Sequence, residues 1–395
     1  MVLTNKQEQG LKLAIERYKN NEKYTVISGY AGTGKSTLVK FIIEALDIDK
    51  DRVCFCSFTG KAAEVLRKKG NENVSTLHKL LYDSYPRPGG GFYHKPKPYL
   101  PYDLVVVDEC SMAPKILMDL LFRHKVYIIC LGDPFQLPPI QKDQDNHLLD
   151  SPHVFLDEIM RQAQESEIIR LTMDIRDKKP LQVYNGDEVK VLPNVYLSDD
   201  SVLTWADQIL CAKNATRHTL NNRMRSILGF EGPPQTGDKI CCQHNYWEDL
   251  SYEGADPLIN GTIGYLKNPF QTFRRVPSWL GTSVKRFDIL QADIAIENDD
   301  YFSQVEIDYN LLTKGEKCCD WRDAYKIGRA KPRIGDIMPR ELEYGYAITV
   351  WKAQGSEWNK VVALEENFPW EPVEHARYLY TAATRASDKL VIIQN

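Results

Sequence analysis

The chain has 395 residues, 43% hydrophobic and 26% charged, with a formal net charge of −4. That balance describes a globular, water-facing protein of two or three domains, and it excludes a disordered or fibrous chain. It also excludes a protein coated in positive charge, while leaving room for a local basic groove. No run approaches the ~18 to 20 apolar residues that span a bilayer. The opening MVLTNKQEQG lacks a basic-then-apolar layout, so no secretion signal is expected, and no membrane partner is expected either. Nine cysteines form an odd set without a CxxC pair or zinc spacing, which points to reduced thiols in a cytoplasm.

Thr4 and Gln7 fit a capping box that opens a helix with Leu11, Ile15 and Tyr18 on one face. The Gln7 amide is equally suited to reading an adenine edge with one donor and one acceptor. Lys23–Ser28 (KYTVIS) predicts a strand, followed by a glycine-rich turn and the helix STLVKFIIEAL. Arg52–Ser57, Leu104–Asp108 and Val126–Leu131 are further strand candidates. Runs apolar on both faces and separated by helices predict a parallel sheet covered on both sides. Residues 82–102 are rich in Pro, Gly and Tyr, which excludes a helix or a central strand. They read as a small inserted hairpin or as a plain packing loop.

A second α/β stretch follows from Ser151 to Gly232, with VLTWA at Val202–Ala206 read as a strand and a helix expected around Asn214–Leu228. Alternating runs such as FDILQADIAIE and SQVEIDYNLL make 233–340 β-rich. The α/β texture returns over 341–395 through YAITV, VVALE and LVIIQ. The expected organisation is a first α/β domain at 1–150, a second at 151–232 plus 341–395, and a β-rich insertion at 233–340.

Gly29–Ser36 reads GYAGTGKS and matches G-x-x-x-x-G-K-[ST] between a strand and a helix. In such a loop the backbone of Gly29, Ala31, Gly32, Thr33 and Gly34 closes around phosphates, with Thr37 in the helix behind it. Lys35 neutralises the β and γ oxygens, and the Ser36 hydroxyl takes a Mg²⁺ position. The strand LVVVDE delivers Asp108 as a Mg²⁺ holder and Glu109 as the base that polarises water. Gln136, in GDPFQLPPI at 132–140, is placed to orient water or is a polar loop residue. ATP and Mg²⁺ are the expected cofactors.

The order of these signals resembles that of superfamily 1 helicases of the 5′-to-3′ subgroup, the RecD-like and phage Dda-like proteins. LTNKQ at 3–7 resembles the adenine-reading motif, with Gln7 as reader. SFTGKAA at 57–63 and STLHKLL at 75–81 resemble strand-contacting motifs, while DECSM at 108–112 and GDPFQLPPI resemble the metal/base and γ-phosphate motifs. LDEIMRQA at 156–163 is similar to the segment that supplies an arginine to the γ-phosphate, here Arg161. YAITVWKAQGSEW at 346–358 resembles the motif that couples nucleotide to DNA, with Gly355 and Glu357 on the nucleotide side. YTAATRAS at 380–387 resembles the last motif, with Arg385 as a second arginine finger. Without the motif context, either arginine reads as a surface residue pairing a carboxylate. Trp351 stands where the family usually has His.

The resemblance implies two RecA-like parallel-sheet motor domains. It also implies a hairpin pin in the first, led by Phe92 or Tyr93, and an SH3-like insertion in the second. Thr59, Lys61, Ser75, Thr76, His78, Thr349 and Lys352 are then the strand contacts, alongside Phe92 at the fork. The implied activity is an ATP- and Mg²⁺-dependent DNA helicase moving 5′ to 3′ on single strands. The rival is a single-strand-stimulated ATPase that remodels protein–nucleic-acid complexes without unwinding. Implied partners are single-stranded DNA, fork junctions and proteins of replication, recombination or repair. A monomer in a bacterial or phage-infected cytoplasm completes the expectation.

Overall fold

The aliphatic runs of the first 160 residues form strands, and those at the centre of the sheet are buried on both faces. Along the chain these are β1 (Tyr24–Gly29), β2 (Val53–Ser57), β3 (Val74–Thr76), the hairpin strands β4 (Tyr82–Pro86) and β5 (Phe92–Pro96), β6 (Leu104–Val107), β7 (Tyr127–Gly132) and β8 (Val154–Leu156). The structure, a computed structural model, describes residues 3–86, 92–138, 146–160, 164–250, 257–277, 284–296, 301–317 and 339–394. Contacts divide the chain into two units: Met1–Asp83, Lys95–Lys213 and Thr349–Asn395 in one, and Ser84–His94 with Asn214–Ile348 in the other.

In the first unit, a parallel sheet has the order β3-β2-β6-β7-β1-β8. Side chains alternate between its faces. Val26, Val105, Val107 and Ile128 pack under α4 (Leu77–Leu81) and α5 (Lys115–Leu121), through Leu77, Leu80, Leu117 and Met118. Ile27, Val106 and Ile129 face Ala14 of α1 (Asn5–Lys19) and Leu38 and Ile42 of α2 (Lys35–Ala45). Each such aliphatic side chain contributes about 1.5–3 kcal/mol by leaving water. Between these helices, α3 (Gly60–Lys68) follows β2. Seven cysteines among the described residues are free and buried, and burial pushes the Cys54 thiol up to about 12.

The second α/β domain begins with α6 (Glu167–Arg176), β9 (Tyr184–Asn185), β10 (Val189–Leu192), α7 (Asp200–Trp205) and β11 (Gln208–Cys211). Here the reading of Val202–Ala206 as a strand is wrong, because that run lies mostly in α7. Asp199 accepts from the Ser201 N–H at 2.9 Å and its hydroxyl at 2.7 Å, which starts a helix. The Thr204 hydroxyl then bonds back to the Asp200 carbonyl at 2.9 Å. A five-residue apolar run carries too little periodicity to outweigh such a cap.

In the second unit, α8 (Asn214–Ile227) precedes β12 (Lys239–Cys242), β13 (Tyr246–Leu250), β14 (Pro257–Leu258), β15 (Ile263–Pro277), β16 (Val284–Ile296), β17 (Tyr301–Asp308), α9 (Tyr309–Lys314) and β18 (Leu342–Tyr344). The run SQVEIDYNLL therefore divides at Asp308, whose carboxylate caps α9 through the Leu311 N–H at 3.0 Å. An antiparallel sheet runs β17-β16-β15-β12-β18. Arg225 of α8 holds the fully buried Asp238 carboxylate with two bonds of 2.9 and 3.0 Å. Removing one member of such a pair typically costs about 3–5 kcal/mol. Asn221 of α8 also clamps the Tyr344 carbonyl and both backbone groups of Ala347. These bonds tie α8 to the second unit.

The chain returns through β19 (Ala347–Thr349), α10 (Val350–Ala353), β20 (Trp358–Leu364), α11 (Pro372–Ala383) and β21 (Ala386–Ile393). In the first unit the second sheet runs β11-β20-β21-β10-β9, parallel except for β9. Among the described residues, no helix is long and apolar enough to cross a membrane.

Candidate active site

β1 ends at Gly29 and α2 begins at Lys35, so the loop between them sits at the edge where open α/β sheets hold ligands. Gly34 has φ +78°, and a Cβ there would collide with Met160 Sδ and Gln7 Nε2. Glycine alone meets both demands. The Lys35 ammonium donates to the Gly29 carbonyl at 2.7 Å and the Tyr30 carbonyl at 3.0 Å, which keeps it over the loop. Ser36 is exposed and Thr37 half-buried at the start of α2. Gln7 takes its capping-box role and also reaches the phosphate loop. Its Oε1 accepts from the Thr4 N–H at 3.0 Å, completing the capping box, while its Nε2 donates to the Thr33 carbonyl at 3.1 Å.

At the end of β6, Asp108 accepts from the Glu109 N–H at 3.0 Å. Burial and the neighbouring Glu109 charge push the Asp108 carboxyl up, and Lys35 and Lys69 pull it back down. Glu109 stands in the left-handed region at φ +49°, ψ +46°. That conformation costs a non-glycine residue about 1–3 kcal/mol. Its Oε1 accepts from Gln136 Nε2 at 3.2 Å and lies 3.8 Å from Arg385 Nη2. Arg385 is 4% exposed and is fixed by donating to the Thr381 and Ser356 carbonyls and the Thr384 hydroxyl, each at 3.1 Å. An amide and a cation, each from a separate motif, thus converge on the Glu109 carboxylate of a third. Arg161 lies outside the described residues.

The second α/β domain reaches the first at other points. Thr381 Oγ1 accepts from the Leu137 N–H at 2.9 Å, and Gln354 Nε2 donates to the Leu137 carbonyl. Gly355 and Glu357 lie beside the two ends of α3. A Cβ on Gly355 would sit 3.3 Å from Thr59 Oγ1, and the Glu357 carboxylate pairs with Lys69 at 3.3 Å. Two residues of this seam escaped the sequence reading. Asp133, 3% exposed, accepts from the Phe135 N–H at 3.0 Å and from the Tyr380 hydroxyl at 2.6 Å. The same hydroxyl oxygen accepts from the Ala31 N–H at 2.8 Å. Both lie inside motifs already singled out, and an acidic residue straight after Gly132 at a strand end was the available signal.

The strand-contact candidates divide by burial. Thr59 caps α3 through the Ala62 N–H at 3.1 Å, and Thr76 caps α4 through the Lys79 N–H at 3.3 Å. Thr76 and Thr349 are buried, and buried His78 stacks on Tyr82 with 4.8 Å between ring centroids. The Ser75 hydroxyl donates to the Thr76 carbonyl at 3.1 Å, while Lys61 and Lys352 are half-exposed. Trp351 packs on Tyr378 and Phe368, with centroids at 6.1 and 6.2 Å. In the hairpin, the exposed Tyr93 stacks on Tyr85 at 5.3 Å. The Phe92 side chain lies outside the described residues.

Two RecA-like sheets sharing one phosphate-binding loop are the build of nucleotide-driven motors. Residues 3–189 match the AAA domain family, and residues 344–393 match the UvrD-like helicase C-terminal domain family. The RecD subunit of the Mycobacterium tuberculosis RecBCD enzyme is 31% identical over 93% of this chain and 66% of its own length. The ATP-dependent RecD2 DNA helicase of Deinococcus radiodurans is 26% identical over 93% of this chain and 46% of its own. The dda helicase of enterobacteria phage T4 is 28% identical over 47% and 44% respectively. The chain thus spans less than half the length of two of these relatives. It belongs to the superfamily 1 helicases, in their RecD-like and Dda-like group.

Proposed function

We propose that the chain is an ATP-dependent DNA helicase that moves 5′ to 3′ on single strands and unwinds duplex in DNA replication, recombination or repair. The observation that carries this reading is the approach of Arg385, delivered by the second α/β domain, to Glu109 of the first. A cation supplied across a seam makes hydrolysis depend on closure of that seam, so ATP turnover becomes movement.

The loop glycines, the α2 N-terminus and Lys35 suit a triphosphate. Ser36 and Asp108 offer the hard oxygen ligands that Mg²⁺ takes. When bound, ATP with Mg²⁺ supplies the phosphoanhydride and neutralises charge on its oxygens. Gln136 orients water and Glu109 receives its proton, while Arg385 faces the charge that develops on the γ-phosphate. Arg161 supplies a second cation, a role carried by the family resemblance. Lys61, Ser75 and Lys352, with the Thr59 hydroxyl, line a path for a DNA backbone, and the buried Thr76, His78 and Thr349 support that path from beneath. Tyr93, with Phe92, leads the pin at the fork.

The test is unwinding by the purified chain on 5′-tailed and 3′-tailed duplexes, in DNA and RNA versions. The expected result is ATP-dependent separation of the 5′-tailed DNA alone, abolished in Lys35→Ala. Turnover retained by Lys35→Ala would remove the site assignment. Single-strand-stimulated ATPase without strand separation would favour the remodelling translocase.

A further inference from the structure

Tyr380 is 1% exposed on α11, and its hydroxyl is used twice, as acceptor from the Ala31 N–H and as donor to Asp133. Burial holds the proton on this phenol far above its ordinary range, so it remains a donor at any working pH. Its ring meets Phe135 edge-on at 5.1 Å, and Phe135 meets Tyr30 of the phosphate loop edge-on at 6.4 Å. The outer face of Tyr30 is covered by the Arg176 guanidinium of α6 at 4.1 Å.

The next residue, Thr381, accepts from the Leu137 N–H. Two consecutive hydroxyls of α11 therefore fasten the loop at Asp133 and at Leu137, and Gln136 lies between those points. Gln136 in turn donates to Glu109, and Arg385 follows at the end of α11. A side chain whose loop is pinned on both sides cannot shift without the helix that pins it.

We propose that Tyr380 is a positioning residue: with Thr381 it couples Gln136 to the second α/β domain, so that the water-orienting amide and the Arg385 cation arrive at Glu109 together. This rests on reading the site as an ATPase. It adds that the second domain sets the geometry of the first domain's own catalytic amide as well as delivering a charge.

The experiment measures single-strand-stimulated ATP turnover in Tyr380→Phe, Gln136→Ala and the double variant. Tyr380→Phe keeps the ring against Phe135 and removes both hydroxyl bonds. Its kcat is expected to fall about 10- to 100-fold, the scale of an ångström-sized misplacement, with KM for ATP within about 3-fold. The double variant is expected to be no slower than Gln136→Ala alone, because residues that act as a unit are non-additive. A general loosening of the fold would instead add to the Gln136→Ala defect. Wild-type kcat in Tyr380→Phe, or additive losses in the double variant, would overturn the assignment. If Tyr380→Phe does not fold, Thr381→Val removes the other fastening and carries the same expectation and the same overturning results. A wild-type chain without ATP turnover would sink the ATPase reading itself. Wild-type turnover with an unaffected Tyr380→Phe would sink this inference alone.

Discussion

Replacing Arg385 by Ala separates two effects whose sizes follow from its surroundings. The guanidinium occupies the Thr381 and Ser356 carbonyls, so its loss leaves two buried acceptors without that partner. Each costs about 1–3 kcal/mol at most, against a total stability of about 5–15 kcal/mol for a domain of ordinary size. The variant should therefore fold, with a lowered unfolding temperature. The catalytic loss is larger. An arginine facing the transferring phosphoryl group is worth about 10³- to 10⁵-fold in rate, or roughly 4–7 kcal/mol of barrier. Single-turnover hydrolysis at saturating single-stranded DNA should fall by that factor, while fluorescent-nucleotide binding changes by less than about 3-fold. Arg385→Lys keeps the charge without the planar fork that reaches Thr381, Ser356 and Glu109 together, so it should fall between the two. Parallel losses of binding and turnover, or a rate loss under about 10-fold, would refute the finger assignment.

Glu167 and Tyr93 give two further expectations. The Glu167 carboxylate is held down to about 2, first by the Val189 N–H and then by the Glu188 N–H and the Tyr184 hydroxyl. Its folded value lies below the ordinary 4.5, so its stabilisation is full above that pH and disappears as pH falls towards 2. Urea midpoints of the wild type should drop more between pH 6 and pH 3 than those of Glu167→Gln; equal drops would dismiss the effect. Tyr93→Ala should reduce forked-duplex unwinding about 5-fold or more, the lower end of a base-stacking contribution. Its single-strand-stimulated ATPase should stay near wild type, and parallel losses would reject the pin.

What the sequence reveals best is chemistry that leaves few alternatives. A strand, a glycine turn with Lys35 and a helix could serve one arrangement, and Gly34 shows why in its φ of +78°. Glu109 and Gln136 were legible from their strand-end positions, although the left-handed backbone at Glu109 was not. Thr76 and His78 show the limit of residue type. A hydroxyl or an imidazole suits a phosphate contact and a helix cap or ring stack equally well, and only burial distinguishes them. Asp133 and Tyr380 are 247 positions apart, so their partnership exists only once the two sheets are set side by side. VLTWA failed for the opposite reason, because a local cap at Asp199 outweighed an apolar run.

The seam bonds from the second α/β domain also have a mechanical side. They land on Ala31 and Leu137, and on the Asp133 side chain, at the loop ends of the first sheet. The two apolar layers of that sheet contain no residue beyond Leu156 among those described. Water can replace each seam bond at a net cost of about 0.5–1.5 kcal/mol, so parting the joint leaves the aliphatic interior sealed. The first sheet therefore keeps its own aliphatic layers whatever the state of the seam bonds, and what the seam itself covers is the ring contact of Tyr380 with Phe135.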